Sequence, residues 1–422
     1  MANYDFASTL SPVDFELLSK DLLEVELGIL LENFREGRDK GIDLRYAGHG
    51  QNLIVQCKRH ATFASLKSEL LNKELPKIRR LQPSRYVLTA AAPLSPQQSD
   101  EIKEILSPYI QSTEDVFGKE RLDSILQKHP EVERRQVKLW ISSAGVLDSL
   151  LNAQTHIVSR EEVDRTKAAA RIYVQNVSFD EALKILNEHR VCIISGLPGI
   201  GKTTLARMLM LYYFRHGYDV IKIESDISEA RNVGYSNRPR FYYYDDFLGQ
   251  TAQADKLNKN EDQKLLDFMR SVHESKTSIM ILTTREYILN QARLHYEKLD
   301  RENFDHRTCI IDLSKYSRQI RAQILYNHLH FSKLPRSHLE ALVASKGYLK
   351  IVDHMNYSPR LIEHLTSPIW VGGIPAEQYL PNFISNLDNP TRLWDHAFSK
   401  QLSLRAKNVL LLLRACLRTH EC

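Results

Sequence analysis

Residues 191–213 read VCIISGLPGIGKTTLARMLMLYY, and this segment indicates the fold of the larger part of the chain. The apolar run at 191–194 predicts a buried strand, and TLARMLMLYY predicts a helix. Between them lies the pattern GxxxxGK[ST], whose glycines let backbone N–H groups turn toward phosphate oxygens at the helix N-terminus. We therefore expect an α/β domain with a phosphate-binding loop after its first strand.

This loop is expected to bind a nucleotide together with Mg²⁺. Lys202 is placed to contact the β- and γ-phosphates, and Thr203 is placed to bind the metal. The expected loop ligands are Gly196, Pro198, Gly199, Ile200, Gly201, Lys202, Thr203 and Thr204. An ordinary glycine-rich turn between a strand and a helix is the alternative, although the Lys-Thr pair favours the nucleotide site.

Two further strands end on polar residues that suit the same site. RFYYYDDFLG at 240–249 is an apolar strand that ends in Asp245, expected to face Mg²⁺, and Asp246, expected to orient or deprotonate an attacking water. A surface Asp-Asp turn is the alternative. SIMILTTRE at 278–286 ends near Arg285, which either senses the γ-phosphate or forms a structural ion pair. Strands are also predicted at 219–224 and 309–312, and only helices and loops after about residue 314.

The bulk composition indicates a globular chain of two or three domains without a strongly basic surface. The chain has 422 residues, 43% of them hydrophobic, and a formal net charge of +5, so any nucleic-acid contact must come from local patches. The five cysteines form no CxxC pair, which favours a reducing cytosol without a disulfide frame or zinc site. No signal peptide or membrane-spanning apolar run is evident, so we expect a cytoplasmic protein that does not contact a membrane.

The N-terminal part predicts a smaller α/β sandwich that extends to about residue 141. Ser11 and Pro12 begin a helix, and strands at 41–47 and 52–58 are joined by the hairpin turn GHGQ. A helix at 63–80, a strand at 84–91 and a helix at 96–107 follow.

The second strand of this hairpin ends on the polar residues QCKRH at 56–60. Twelve residues separate Asp43 from Gln56, so the hairpin brings Asp43 beside the end of that strand. Gln56 and Lys58 project from one face, while Cys57 points into the core. An oxygen cage for Mg²⁺ and a nearby cation are what phosphodiester hydrolysis requires. The alternative is a half-exposed hairpin with solvated charges.

The order GxPGxGKTT, an apolar strand with Asp-Asp, and a strand ending in TTRE resembles the STAND class of signalling NTPases. The resemblance is strongest to the novel-STAND domains of prokaryotic defence proteins and covers roughly residues 170–400. NYSPRLIEHL at 356–365 resembles the helical lid of these proteins, in which Arg360 would sense bound nucleotide; a plain helix start is the alternative. The resemblance implies a P-loop core at 176–315, a helical lid at 316–385 and a winged-helix-like region at 386–422.

The pattern Asp-x12-Gln-x-Lys resembles the PD-(D/E)xK nuclease superfamily, and specifically the Mrr-like restriction endonucleases. LSPVDFELLSKDLL at 10–23 resembles the first helix of that family, in which Glu16 would add negative charge to the metal site. Ile42 stands where the family pattern has proline, and Gln56 replaces the second carboxylate, as in the Mrr-like branch. The resemblance implies a restriction-endonuclease-like domain at 1–141, with Asp43, Gln56 and Glu16 as metal ligands and Lys58 as the catalytic cation. Residues 142–175 are then a linker or helical connector.

Together these features predict a multidomain α/β protein that cuts DNA with Mg²⁺ under the control of a nucleotide; ATP is the favoured nucleotide, and GTP stays open as the alternative. The family resemblance implies an antiphage effector, in which a phage-derived or other trigger causes homo-oligomerisation. Nuclease domains brought together gain effective concentration, and two sites can cut two strands. Three alternatives stay open: an ATP-driven restriction enzyme with a DNA-stimulated motor, a non-cleaving NTPase regulator, and a transcription regulator that binds DNA through its winged-helix-like end.

Overall fold

The chain divides into two compact units, Met1–Asn152 and Ala153–Cys422. The computed structural model describes residues 4–33, 43–48, 51–136, 138–139, 160–224, 226–231, 238–247, 261–285, 308–311, 316–344 and 346–389. The predicted winged-helix-like region lies outside these residues from 390 onward, as do the two central residues, 49 and 50, of the predicted hairpin turn.

The first unit is a mixed sheet with helices on both faces. Its helices and strands are α1 (Phe6–Thr9), α2 (Pro12–Leu27), β1 (Glu32–Asn33), β2 (Leu44–Gly48), β3 (Gln51–Lys58), α3 (Phe63–Glu69), a π turn (Leu70–Glu74), α4 (Leu75–Leu81), β4 (Arg85–Ala90), α5 (Pro96–Ile105), a 3₁₀ turn (Thr113–Asp115), β5 (Val116–Phe117), α6 (Lys119–Lys128) and α7 (Pro130–Arg134). The sheet order is β1-β2-β3-β4-β5, and β3, β4 and β5 run parallel.

Helix α2 begins where the sequence predicts. The Ser11 hydroxyl accepts the backbone N–H of Asp14, and the Asp14 carboxylate accepts the backbone N–H of Ser11, which is a capping box. Such a cap contributes about 1 kcal/mol. The helix buries Phe15, Leu18 and Leu22 completely, so it is anchored against the sheet by apolar contacts.

The two faces of β3 meet different layers of the fold. Ile54 belongs to a buried cluster with Leu66, Leu70 and Ile78 of the α3–α4 segment, so the even-numbered residues of β3 face that segment. Thr89, the register partner of Cys57, donates a hydrogen bond to Ser19 of α2. The odd-numbered residues of β3 therefore face α2, and Gln56 and Lys58 face α3–α4.

The helix predicted at 63–80 is interrupted. Residues 70–74 form a π turn between α3 and α4, which inserts an extra residue into the helical repeat. Helical periodicity alone does not reveal this interruption, because apolar residues recur on both sides of it.

The second unit is built on a fully parallel sheet. Its helices and strands are α8 (Arg160–Ile172), α9 (Val177–His189), β6 (Val191–Gly196), α10 (Lys202–Arg215), β7 (Asp219–Ile223), α11 (Ser228–Arg231), β8 (Arg240–Tyr244), α12 (Glu261–Glu274), β9 (Ser278–Arg285), β10 (Thr308–Ile311), α13 (Arg318–Phe331), α14 (Arg336–Ala344), α15 (Gly347–Val352), α16 (Pro359–Leu365), α17 (Pro368–Val371) and α18 (Ala376–Asp388). These include the five strands that the sequence predicts for this unit.

The strand order β10-β6-β9-β8-β7 places β6 between two strands that follow it much later in the chain. Residues 191–196 of β6 are all buried, as expected for a central parallel strand. The carboxyl ends of β6, β8 and β9 lie at the same sheet edge, where ligands of such folds bind. After β10 the described chain is helical, and none of the helices among the described residues has the length and apolarity needed to cross a membrane.

Candidate nuclease and nucleotide-binding sites

Asp43 lies beside the carboxyl end of β3, as the hairpin predicts. It immediately precedes β2, whereas the sequence predicts that it lies inside that strand. Leu44 pairs with Val55, so the antiparallel register places Asp43 opposite Gln56. Its Oδ2 accepts hydrogen bonds from Gln56 Nε2 and from the backbone N–H of Cys57, both at 2.7 Å. The structure therefore brings together two of the predicted metal ligands.

Burial raises the pKa of Asp43 to about 6, even though the Cys57 N–H, the Lys58 ammonium and the Gln56 amide all favour the ionised form. The Glu74 carboxylate adds to the rise. A bound cation would offset this unfavourable electrostatic environment. Asp43 is thus a carboxylate whose charge in the fold is only partly compensated by the protein.

The residues present fit Mg²⁺, which prefers oxygen ligands. Asp43 Oδ1 and Gln56 Oε1 have no hydrogen-bond partner among the described residues. The Tyr86 hydroxyl is also buried without a partner there, and it lies within electrostatic reach of Glu74 and Asp43, which add to the rise that burial causes in its pKa. The hydrated cation would satisfy these groups.

Lys58 lies on the same face as Gln56, and its Nζ contacts two carboxylates that the sequence did not single out. It donates to Glu69 at 3.1 Å and to Glu74 at 2.9 Å. Burial lowers the pKa of Lys58, but the nearby carboxylates, Glu74 above all, outweigh this effect and leave it raised. Lys58 is therefore a protonated, buried ammonium held by α3 and the π turn.

Glu16 lies on α2, which covers the opposite face of β3. After burial and the Asp43 charge, Glu16 contributes to raising the pKa of Cys57. The role of Glu16 as a third metal ligand stays a prediction. Glu16 lies on the Cys57 side of β3, whereas Gln56 and Lys58 project from the other side.

The P-loop has the backbone that its glycines predict. Gly199 and Gly201 have φ of 76° and 105°, a region that favours glycine. Lys202 is the first residue of α10, and its Nζ donates to the carbonyls of Gly196 at 3.0 Å and Leu197 at 2.9 Å. The ammonium thus spans the loop where phosphate oxygens would bind.

The end of β8 faces the start of α10. The Thr203 hydroxyl donates to Asp245 Oδ1 at 3.1 Å, which unites the two residues predicted to bind Mg²⁺. Thr283 of β9 donates to the same Asp245 oxygen and accepts the backbone N–H of Asp246 at 2.9 Å. Asp246 adopts a left-handed φ of 47°, so Thr283 supports a strained turn that orients the carboxylate.

Burial lowers the pKa of Lys202 to about 8, Asp246 and Asp245 oppose this effect, and Arg285 adds to it. Arg285 and both aspartates therefore lie close enough to Lys202 to influence its pKa, so these four residues belong to one site. A bound triphosphate would favour the charged ammonium. The P-loop, the end of β8 and the end of β9 therefore all contribute residues to this site, as the sequence predicts.

A cleft of about 570 Å³ opens beside the loop, a size that suits a nucleotide. Arg360 of α16 lines it and packs against Gly199, where a Cβ would lie 2.6 Å from Arg360 Cδ. The Tyr316 hydroxyl donates to the Ile200 carbonyl at 3.1 Å. The helical region therefore contacts the loop directly.

Sequence reasoning missed several other residues that line this cleft. Tyr173 and Asn176 precede the first strand, and His328 comes from α13. Burial lowers the pKa of His328 to about 4, so its imidazole is neutral. No short motif marks these residues, because they come from segments about 150 positions apart.

The fold and the two sites define an α/β nuclease-like unit joined to a P-loop nucleotide-binding unit. Residues 7–83 match the family model described as Restriction endonuclease, of the Mrr catalytic type, and residues 173–331 match Novel STAND NTPase 3. The chain therefore joins an Mrr-type restriction endonuclease domain to a novel STAND NTPase domain, which confirms both predicted resemblances.

The chain is also similar to individual proteins. An uncharacterized protein of Sinorhizobium fredii, y4cD, is 35% identical over 198 residues, which are 46% of this chain and 30% of that protein. The chain thus spans less than a third of this curated relative. Among solved structures, C. elegans PCH-2 is 13% identical with a TM-score of 0.32, over 58% of this chain and 73% of that one. Aeropyrum pernix ORC2, solved as ADPNP–ADP complexes, is 14% identical with a TM-score of 0.34, over 58% and 72%.

Proposed function

We propose that the protein is a Mg²⁺-dependent DNA endonuclease whose activity is switched by nucleotide. The observation that carries this proposal is the Asp43–Gln56 contact of 2.7 Å at the end of β3, with the ammonium of Lys58 on the same strand face. A carboxylate, an amide oxygen and a cation together are suited to a scissile phosphodiester.

In this proposal Asp43 and Gln56 hold the metal, and Glu16 adds negative charge from α2. Mg²⁺, when bound, would supply Lewis-acid polarisation of the phosphate. Lys58 stabilises the charge that develops on the phosphate oxygens, because its ammonium is buried and interacts with little solvent screening. Asp43 also keeps Gln56 in place, since its Oδ2 holds the amide nitrogen and turns the amide oxygen away.

The second unit binds ATP in preference to GTP and acts as a slow switch. Lys202 and the loop N–H groups bind the phosphates, while Thr203 and Asp245 hold Mg²⁺. Asp246 orients the attacking water, and Arg285 senses the γ-phosphate. Arg360 reports occupancy of the loop to the helical region, and its packing on Gly199 supports this role.

The biological role that we propose is antiphage defence. A phage-derived or other trigger would shift the nucleotide-bound protein to a homo-oligomer, in which nuclease domains reach high effective concentration. Two active sites held together can then cut both strands of a duplex.

The test is plasmid cleavage with Mg²⁺, with and without ATP, across oligomeric fractions of the full-length protein. We expect cleavage in the oligomeric fraction, its loss in Asp43→Ala and in Lys58→Ala, and retained ATP binding in both variants. Parent-like cleavage by both variants would refute the nuclease assignment. Steady ATP turnover stimulated by DNA alone would instead favour a DNA motor, and intact DNA under all conditions would favour a regulator that does not cut.

A further inference from the structure

Glu74 is a buried carboxylate that contacts two ammonium groups. Only 1% of the residue is exposed, and its Oε1 accepts hydrogen bonds from Lys58 Nζ and from Lys77 Nζ, both at 2.9 Å. A buried charge is strongly unfavourable unless it is paired and hydrogen-bonded. The proposed catalytic lysine is therefore one of the groups that make this buried carboxylate stable.

The π turn places Glu74 where it can reach Lys58. Glu69 and Glu74 are five residues apart, which on a regular α-helix would separate their directions by about 140°. Glu74 is the last residue of the π turn at 70–74. A π turn has more residues per turn than an α-helix, which reduces the angle between the two side chains. Both carboxylates then approach the same Nζ. Such turns are uncommon and concentrate at functional sites.

Among the residues that the structure describes, the contacts of Lys58 leave one donor for a substrate. An ammonium has three N–H groups, and two of them are directed to Glu69 and Glu74. These two hydrogen bonds fix the rotation of the group about the Cε–Nζ bond. The third N–H therefore points in one defined direction.

We propose that Glu74 is a positioning residue of the nuclease site, which holds the Lys58 ammonium so that its remaining N–H faces the scissile phosphate. Glu69 is a weaker second support, because 23% of its side chain is exposed and its other oxygen contacts His60 at 2.6 Å. This inference rests on the proposed nuclease function. It extends that function to two residues that belong to no recognised motif of the chain.

A direct role of Glu74 in metal binding is the competing assignment. The structure favours positioning, because Glu74 Oε1 already accepts two ammonium protons.

The test compares Glu74→Gln, Glu69→Gln and the control Glu101→Gln in the full-length protein. Glu101 forms an exposed ion pair with Lys67 in the same unit, so its substitution matches the chemistry without touching Lys58. Single-turnover DNA cleavage is measured against Mg²⁺ concentration. We expect Glu74→Gln to slow cleavage at least tenfold with an unchanged Mg²⁺ midpoint, Glu69→Gln to slow it a few-fold, and Glu101→Gln to leave it unchanged.

A large rise in the Mg²⁺ midpoint of Glu74→Gln would overturn positioning in favour of metal binding. An unchanged cleavage rate would overturn the inference while the proposed nuclease function stands. Absence of cleavage by the parent protein overturns both.

A second measurement does not depend on activity and guards against a variant that merely folds poorly. Glu74→Gln leaves the buried Lys58 with one fewer charged partner, so the urea concentration at the midpoint of unfolding should be lower for this variant than for the parent protein. Adding Lys58→Met should raise that midpoint again, because the unpaired ammonium is removed. If the double variant is as unstable as the sum of both single changes, Lys58 and Glu74 are not coupled and the inference is wrong.

Discussion

Replacing Asp43 with asparagine should stabilise the metal-free protein at neutral pH while it destroys the proposed Mg²⁺ site. Burial raises the pKa of this carboxyl from 3.8 to about 6, so the fold disfavours its ionised form. Asparagine keeps the shape and an accepting oxygen for the Cys57 N–H but carries no charge. Functional sites commonly retain such unfavourable groups, and their removal often increases stability.

The magnitude follows from the pKa change. Each tenfold change in proton affinity corresponds to about 1.4 kcal/mol, which gives about 3 kcal/mol at pH well above 6. Asp43 is only half-buried, so solvent screening reduces the expected gain to about 1–3 kcal/mol. The parent protein binds more protons at this site when folded than when unfolded. The contribution of the Asp43 carboxyl to the free energy of unfolding is therefore fully present below about pH 3.8 and is lost as the pH rises toward about 6.

The assay is urea unfolding in EDTA, followed by hydrogen exchange in peptides that cover β3, because the two units need not unfold together. Asp43→Asn should exceed the parent in stability at about pH 7.5 and approach it near pH 4. Added Mg²⁺ should stabilise the parent and leave Asp43→Asn unchanged. Asp100→Asn, at an exposed carboxyl of α5, is the control and should change stability by less than about 0.5 kcal/mol. A less stable Asp43→Asn variant at neutral pH would refute this reasoning.

Four further substitutions test the remaining assignments. Lys202→Ala should reduce ATP affinity at least tenfold in equilibrium binding, since it removes the charge that meets the β- and γ-phosphates; retained tight binding would contradict the P-loop assignment. Asp246→Ala should slow ATP hydrolysis far more than it weakens binding, and equal losses would indicate a structural role at the end of β8. Gly199→Ala should weaken ATP binding, because its Cβ would meet Arg360 at 2.6 Å and the φ of 76° disfavours alanine, whereas Gly373→Ala, where a Cβ meets open space, should not. Gln56→Glu should lower the Mg²⁺ midpoint for DNA cleavage and keep some activity, because it adds a carboxylate to the site; a higher midpoint would argue against Gln56 as a ligand.

The nucleotide site could largely be predicted from the sequence. Its main parts are contiguous in the chain: the strand, the loop glycines, Lys202 and Thr203. Local backbone geometry dictates how such a segment folds. Asp245 is distant in sequence but ends an apolar strand, and parallel strands present their carboxyl ends at one edge. Asp43 and Gln56 were predictable for a similar reason, since a hairpin sets which residues lie opposite each other.

Other parts of both sites depended on the tertiary structure. Helical periodicity predicts one helix over 63–80, and on that helix Glu69 and Glu74 would point in different directions. The π turn changes the helical phase, and packing of Leu66, Leu70 and Ile78 on β3 accommodates it. Local preferences do not favour this turn, so the partners of Lys58 follow from packing.

Short-range backbone rules were therefore enough to predict three features: the phosphate loop, the polar strand ends and the Asp43–Gln56 pair. Three other contacts became visible only in the folded chain: Glu74 holds Lys58, Arg360 packs on Gly199, and His328 lines the nucleotide cleft. Those contacts join segments far apart in the chain or out of helical phase. Their formation depends on the summed burial of many apolar side chains, a quantity that no short motif records.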